Sequence, residues 1–423
     1  MVKFRFSTAE EQAKQLDLQD PLAEFRSRFF IPVNTIYLDG NSLGLLPKDA
    51  EKCLLRVMKE WKTLGIQGWF EGERPWWHFG EDLGAMAAPL VGAEPIEVAA
   101  TGTTTVNLHS LVSTFYHPNG KRTKILADEL DFPTDIYTLK SQIKLKGLDP
   151  NQHLVLVPPN DRFFDEDTIV KHMTDDIALI MLPSALYRSG QLLNMAYLTE
   201  EAHERGIPIG FDCCHSVGAV PHYFDDWGVD FAVWCSYKYL NSGPGGTAFL
   251  YINKKHFYKE PGLTGWFGYV KEKQFDMLLD FEHAKSAGGW QMSSSNILCS
   301  APIEGALMVT LEAGIHRIRE KSIKMTSYLI YLIDKLLTED PYNFEVGTPR
   351  NPDRRTGHVA IEHDEAFRIS EALKARGVIT DFRPPNIIRV APVALYNTYH
   401  EVWRIVQFLQ EIINKQEYLE YSK

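Results

Sequence analysis

No run of this sequence comes near the roughly 18 uninterrupted apolar residues that a membrane-crossing helix requires, and no repeat, low-complexity tract or block of like charge occurs in its 423 residues. The opening stretch, MVKFRFSTAEEQAKQLDLQD, is charged and lacks the apolar core of a signal peptide, so none is expected. Basic residues are in deficit. The 44 Lys and Arg stand against 55 Asp and Glu, a formal charge of −11. That balance argues against a nucleic-acid or anionic-membrane partner, while a local basic pocket could still hold a phosphate. Cysteine is scarce and odd in number: Cys53, Cys213, Cys214, Cys235 and Cys299 include no CxxC pair. This predicts no metal site and fits reduced thiols in the cytoplasm. Two phosphate signatures are also missing, GxGxxG after a strand and GxxxxGK(S/T), which leaves a dinucleotide oxidoreductase or a P-loop nucleotidase with little support.

What the chain does hold is a succession of short apolar runs between Thr123 and Ile252, with helical segments between them. KILADEL from Lys124, HLVLVPP from His153, IALIMLPS from Ile177, IPIGFDC from Ile207, DFAVWCS from Asp230 and TAFLYIN from Thr247 read as strands. They are continuously apolar rather than alternating, the pattern of strands buried on both faces of a largely parallel sheet between helices. The fold class is therefore α/β. The chain is longer than one core supports, which predicts two domains. A large one covers residues 50–305, and a small α+β one joins 1–49 to 306–423. A long helical pattern from Ile303 to Leu337 bridges them. After it, YNFEVG, GHVAIEH and IIRVAPV read as strands, EAFRISEALKARG and YHEVWRIVQFLQEIINK as helices.

One lysine carries candidate chemistry. Lys238 stands at a strand end in DFAVWCSYKYLNSGPGG, ahead of a turn (Gly243, Gly245, Gly246) expected to let backbone approach a bound group closely. A partly desolvated lysine that can shed its proton forms a Schiff base with an aldehyde. Alone, such a lysine is more often an ordinary solvated side chain. Asp212 ends another apolar strand 26 residues upstream, in IPIGFDCCHSVG, with His215 three residues on. A pyridoxal ring needs a carboxylate at its nitrogen, because the protonated ring is the electron sink. Ligands in open α/β sheets gather beyond the carboxyl ends of strands, so Asp212 and Lys238 can face one site. Asp212 reads equally as a helix N-cap, and His215 equally as a packed histidine. ATGTTTVNLH places hydroxyls and backbone N–H groups ahead of an apolar helix, either a phosphate seat or a plain Thr cap.

Five segments in order, YLDGNSLGLLP, TTTVNLH, DFPTD, DDWGVDFAVWCSYKYLNSGPGG and IIRVAPVALYN, together resemble the kynureninase family of fold-type-I pyridoxal-phosphate enzymes, from Tyr37 to Asn397. The resemblance implies pyridoxal 5'-phosphate as cofactor, held in a large domain with a mainly parallel, seven-stranded type of sheet. Lys238 would bind the cofactor aldehyde and move the substrate's α-proton, with Asp212 on the ring nitrogen and His215 beside it. Phe132 would stack on the ring, with Asp135 close by. Thr104 and Thr105 would hold the phosphate with Tyr237, aided by Ser184 in LPSALYRSG and by Trp266 and Ser294 from a second subunit. Arg389 would grip the substrate's α-carboxylate, and the Asn41–Ser42 loop would border it.

The activity so implied is hydrolysis of L-kynurenine, or of its 3-hydroxy form, to anthranilate or 3-hydroxyanthranilate and L-alanine, by a homodimer in tryptophan breakdown or NAD biosynthesis. Tyr237 is the candidate acid for the hydration step. Two positions depart from the animal pattern: Trp69 replaces a histidine, and Ser294 an asparagine, beside the substrate ring. Both remove groups suited to a ring hydroxyl, which favours plain kynurenine. Rival readings are a cysteine desulfurase or aminotransferase of the same fold, and a cofactor-bearing regulatory protein without turnover. Cys299 is the only cysteine in the region a desulfurase would use, and all the expected catalytic residues are present.

Overall fold

The computed structural model describes residues 4–422. Among these, thirteen strands form three sheets. β1 (Ile36–Tyr37) pairs in parallel with β11 (Val378–Ile379). β2 (Val98–Ala100), β3 (Lys124–Asp128), β4 (Leu154–Val157), β5 (Ile177–Pro183), β6 (Ile209–Asp212), β7 (Phe231–Trp234) and β8 (Phe249–Ile252) form a seven-stranded sheet in the order β2-β8-β7-β6-β5-β3-β4. Only β8 runs antiparallel to its neighbours. β9 (Glu345–Val346), β10 (Val359–Glu362), β12 (Asp381–Arg383) and β13 (Ile387–Val390) make an antiparallel sheet in the order β12-β13-β10-β9.

The apolar runs are explained by burial on two sides. Along β5, Ile180 and Leu182 join the core of one face with Phe79, Leu83 and Trp234. Leu179 and Met181 join the core of the other with Leu111, Val112 and Trp290. Successive residues point to opposite faces, so both sets must be apolar. All six expected strands are present. β2 was not expected, because a three-residue Val-Ala-Ala strand carries little β propensity.

The helical pattern from Ile303 to Leu337 is two helices, Ile297–Ala313 and Ile315–Leu336, which meet at 77°. Gly314 breaks them with φ of 79°, a left-handed conformation that glycine adopts without steric cost. The first helix runs unbroken through residue 305 and packs on the helix Lys48–Leu64, so the border expected at 305 falls within an element. No single helix among the described residues is long and apolar enough to cross a membrane.

A separate apolar cluster joins Leu16, Tyr328, Leu332, Ile361, Ile388 and Leu409 around the small sheet. Burying each of its aliphatic side chains contributes roughly 1.5–3 kcal/mol. The N-terminal helix Glu10–Leu18 is tied to this unit through Asp17. Its carboxylate accepts from the backbone N–H of Tyr399 at 2.6 Å and of His400 at 3.0 Å, at the start of the helix Tyr399–Asn414. Anionic capping of exposed N–H groups is favourable there.

Candidate active site

Parallel strands deliver their carboxyl ends to one edge of the sheet. At that edge the segments following β3, β5, β6 and β7, with the first turn of the helix Thr104–Phe115, enclose a cavity of about 110 Å³. Thr104, Thr105, Phe132, Asp135, Asp212, His215, Tyr237 and Lys238 all line it. Sequence separations of up to 134 positions (from 104 to 238) thus close into one site.

The Lys238 amine lies 2.9 Å from Nε2 of His215. Burial, then the charge of Lys238, holds the His215 ring well below the usual histidine range, so it stands neutral and accepts from the ammonium. For Lys238 itself burial works against the charged form. Cys235, Cys214 and Asp212 outweigh it, and the net displacement is upward. The amine becomes nucleophilic only when its proton is lost.

The floor is acidic. Asp212 Oδ1 accepts from the backbone N–H of Cys214 at 2.6 Å. Asp135 is fully buried, and neither of its carboxyl oxygens has a hydrogen-bond partner. Burial, then the charge of Asp212, pushes the Asp135 carboxyl well up. Nδ1 of His215 is buried and unpartnered too. An unsatisfied buried carboxyl such as Asp135, set beside the charge of Asp212, suits an N–H donor, and burying it without one costs about 1–3 kcal/mol. The N-cap residue Thr103 makes no side-chain cap of its helix, and the Thr104 and Thr105 hydroxyls line the cavity at that helix N-terminus, which favours an anion. Phe132 is 44% exposed, with its ring edge-on to Tyr187 at 5.3 Å, which leaves a ring face for stacking. A phosphorylated aromatic aldehyde with a protonated ring nitrogen fits these groups at every point: anion at the helix, N–H at the carboxylates, aldehyde at the lysine.

Arg389 does not line the cavity; it sits behind it. Its Nη1 donates to the carbonyl of Tyr187, a lining residue, at 2.7 Å, and its Nη2 donates to Ser42 Oγ at 3.0 Å. The Asn41–Ser42 loop is anchored here by the Gly44 N–H, which donates to the Tyr237 carbonyl at 2.7 Å. Burial lowers the Arg389 guanidinium's hold on its proton, and Asp381 opposes that.

Four expected residues lie elsewhere. Ser184 turns to the other side of β5, where its hydroxyl meets Ser216 Oγ at 2.7 Å, and the adjacent Pro183 faces the cavity instead. The reason is the two-residue period of a strand. Trp266 (46% exposed) and Ser294 stand at the surface, and Trp69 packs among Trp76, Trp77 and Phe267. None of these lines the cavity within one chain. The glycine turn also differs from expectation. Gly243 and Gly245 adopt φ of 92° and 73° with open space around them and serve left-handed backbone, while Gly246 is closely approached by the chain's own Ser242 and Ser236 hydroxyls rather than left open to a bound group.

Sequence reasoning passed over Tyr187, Asp131, Thr134 and Cys214, which all line the cavity. Their one signal was position: each adjoins a strand end already marked as a site.

Residues 318–409 match the family model described as the kynureninase C-terminal domain. A kynureninase of Bacillus thuringiensis is 56% identical over 423 residues, covering 100% of this chain and 98% of its own. A kynureninase of Geobacillus thermodenitrificans is 55% identical over 413 residues, covering 97% and 96%. Among solved structures, a cysteine desulfurase of Thermococcus onnurineus superposes with a TM-score of 0.76 at 18% identity, covering 98% of this chain and 100% of that one. One from Escherichia coli gives 0.75 at 16%, covering 93% and 98%. At such identity these two speak for the fold alone.

Proposed function

The chain belongs to the kynureninase family, and on that footing we propose that it hydrolyses L-kynurenine to anthranilate and L-alanine, with pyridoxal 5'-phosphate as its cofactor. The observation that carries this reading is the Lys238–His215 contact in one cavity with Asp212 and the unsatisfied Asp135 carboxyl, in a chain whose relatives match from end to end. Bound there, the cofactor supplies an electron sink for charge developing at the substrate's α-carbon.

The residues divide the remaining work. Lys238 Nζ would hold the cofactor aldehyde and move the substrate's α-proton, with His215 Nε2, 2.9 Å away, as its proton exchange partner. Asp212 would pair with the protonated ring nitrogen, with Asp135 close by, and Thr104 and Thr105 would hold the phosphate at the helix N-terminus. Phe132 stacks on the ring. Arg389 orients the substrate through its α-carboxylate, with Ser42 beside it. Hydration of the side-chain ketone needs a base and an acid. Burial pushes the Tyr237 phenol well above its usual range, so it remains protonated and able to donate.

The finer reading is a cytoplasmic homodimer active in tryptophan breakdown, acting on plain kynurenine in preference to the 3-hydroxy form. Trp61, Ile66, Phe70, Trp266, Phe275 and Leu279 are large apolar side chains exposed on the single chain, a surface suited to a second copy. Such a copy would bring Trp266 and Ser294 to the site and border the substrate with Trp69. Five unbridged cysteines fit a reducing compartment. A desulfurase is disfavoured, because Cys299 lies in a surface groove with Trp61, Trp69 and Trp76 rather than in the cavity, and burial pushes the thiol that does line the cavity, Cys214, well up and away from a reactive thiolate. The test is anthranilate fluorescence after adding L-kynurenine to cofactor-loaded protein. Sulfide from cysteine without anthranilate would refute the proposal.

A further inference from the structure

The guanidinium that would take the substrate's carboxylate is already engaged. Arg389 is 1% exposed and lies on β13 directly across from Asp381 of β12. Nη1 donates to the Tyr187 carbonyl at 2.7 Å, and Nη2 donates both to Ser42 Oγ at 3.0 Å and to Asp381 Oδ2. With the Asn41 amide turned to satisfy both its ends, its oxygen accepts from Arg389 Nε at 3.3 Å. A guanidinium offers a carboxylate two double-donor edges, Nη1 with Nη2 and Nε with Nη2. Both edges use Nη2, which is already shared between Ser42 Oγ and Asp381 Oδ2, and the Ser42 hydroxyl in turn donates to that Oδ2 at 2.6 Å. A two-pronged grip opens only when one Nη2 partner leaves.

Charge decides which partner that is. A second carboxylate drawn to Arg389 would sit against Asp381 in a buried site, where like charges repel strongly. Moving Ser42 alone leaves that repulsion in place. Asp381, by contrast, has somewhere to go. Arg383 Nη2 already donates to the same Oδ2 at 2.7 Å, and Arg383 Nε is buried with no partner. A shift toward Arg383 turns a single contact into a two-pronged one and satisfies that orphaned donor.

We propose that Asp381 is an internal stand-in for the substrate's α-carboxylate, released from Arg389 and handed to Arg383 as substrate binds. The proposal rests on the reading of Arg389 as the carboxylate clamp. It makes Asp381 a positioning and selectivity residue: a ligand gains affinity at Arg389 only if its own carboxylate displaces the resident one.

Calorimetric titration of the holoenzyme with L-alanine tests this without turnover. Asp381→Asn removes the competitor while keeping the shape. The alanine Kd should fall by about tenfold, as expected when a minority binding-competent state becomes dominant, and KM for kynurenine should fall while kcat changes little. Arg383→Gln removes the receiving partner, so Kd and KM should rise. Loss of packing would weaken binding in both variants, so opposite signs are diagnostic. An Asp381→Asn enzyme that binds alanine no more tightly than the parent overturns the proposal. If that variant does not fold, an Arg383→Gln enzyme with unchanged alanine binding overturns it equally. Arg389→Lys separates the two levels: unchanged alanine binding there would show that the clamp assignment itself had failed.

Discussion

The amine of Lys238 and Nε2 of His215 meet at 2.9 Å, although they arise from the ends of two different strands. Burial keeps the imidazole neutral, so it can only accept from the lysine. Replacing His215 with Gln should keep a polar contact but remove a proton exchanger of suitable basicity. We expect kcat for kynurenine to fall about 100-fold, with the cofactor still bound. Stopped-flow measurement of substrate deprotonation checks which step has slowed.

Arg389→Lys keeps the charge and loses the planar fork. A point cation cannot hold a carboxylate bidentately, so KM for kynurenine should rise roughly 10- to 100-fold while kcat stays within a few-fold. A steady-state comparison reads the split directly.

The buried carboxyl groups behind the site give the apoprotein a distinctive pH response. Burial pushes Asp128 up to about 7. A carboxyl whose folded pKa is raised binds its proton more tightly in the folded state. Its contribution is whole below the unfolded value of about 4 and is lost as pH climbs toward about 7. Asp128→Asn cannot lose that proton. Its melting temperature relative to the parent should therefore increase between pH 5 and pH 8, with a gain on the order of 1–3 kcal/mol at the upper end. Scanning calorimetry of both proteins across that range checks the sign.

On the proposed reading, Trp69 brings only an indole N–H donor where a histidine could also accept, and Ser294 a shorter hydroxyl in place of an asparagine amide, so both are less suited to a ring hydroxyl. kcat/KM for kynurenine should exceed that for 3-hydroxykynurenine by about tenfold or more. Trp69→His should narrow the gap, as measured by initial rates on both substrates.

Much of the architecture was legible in the sequence, for one physical reason. β5 and its neighbours are buried on both faces, so they read as unbroken apolar runs, and the residues at their ends, Asp212 and Lys238, stood out as polar groups in the right place. Other features depended on direction, which composition does not carry. Pro183 and Ser184 are one position apart, yet only the first faces the cavity. Tyr187 matters through a backbone carbonyl that any residue could supply, so its identity gave no hint. The bend at Gly314 was signalled by the glycine, but the apolar pattern continued through it and masked the break. Asp381 was invisible because its significance is a pairing across β12 and β13 that exists only once the small sheet forms.

The most direct test is chemical. Holoenzyme is treated with borohydride to fix the cofactor to whatever amine holds it, then digested, and the peptides are weighed by mass spectrometry. Attachment at Lys238 predicts a phosphopyridoxyl group on the peptide containing SYKYLN and on no other. The label on a different lysine, or a protein that takes up no label after incubation with pyridoxal phosphate, would contradict it.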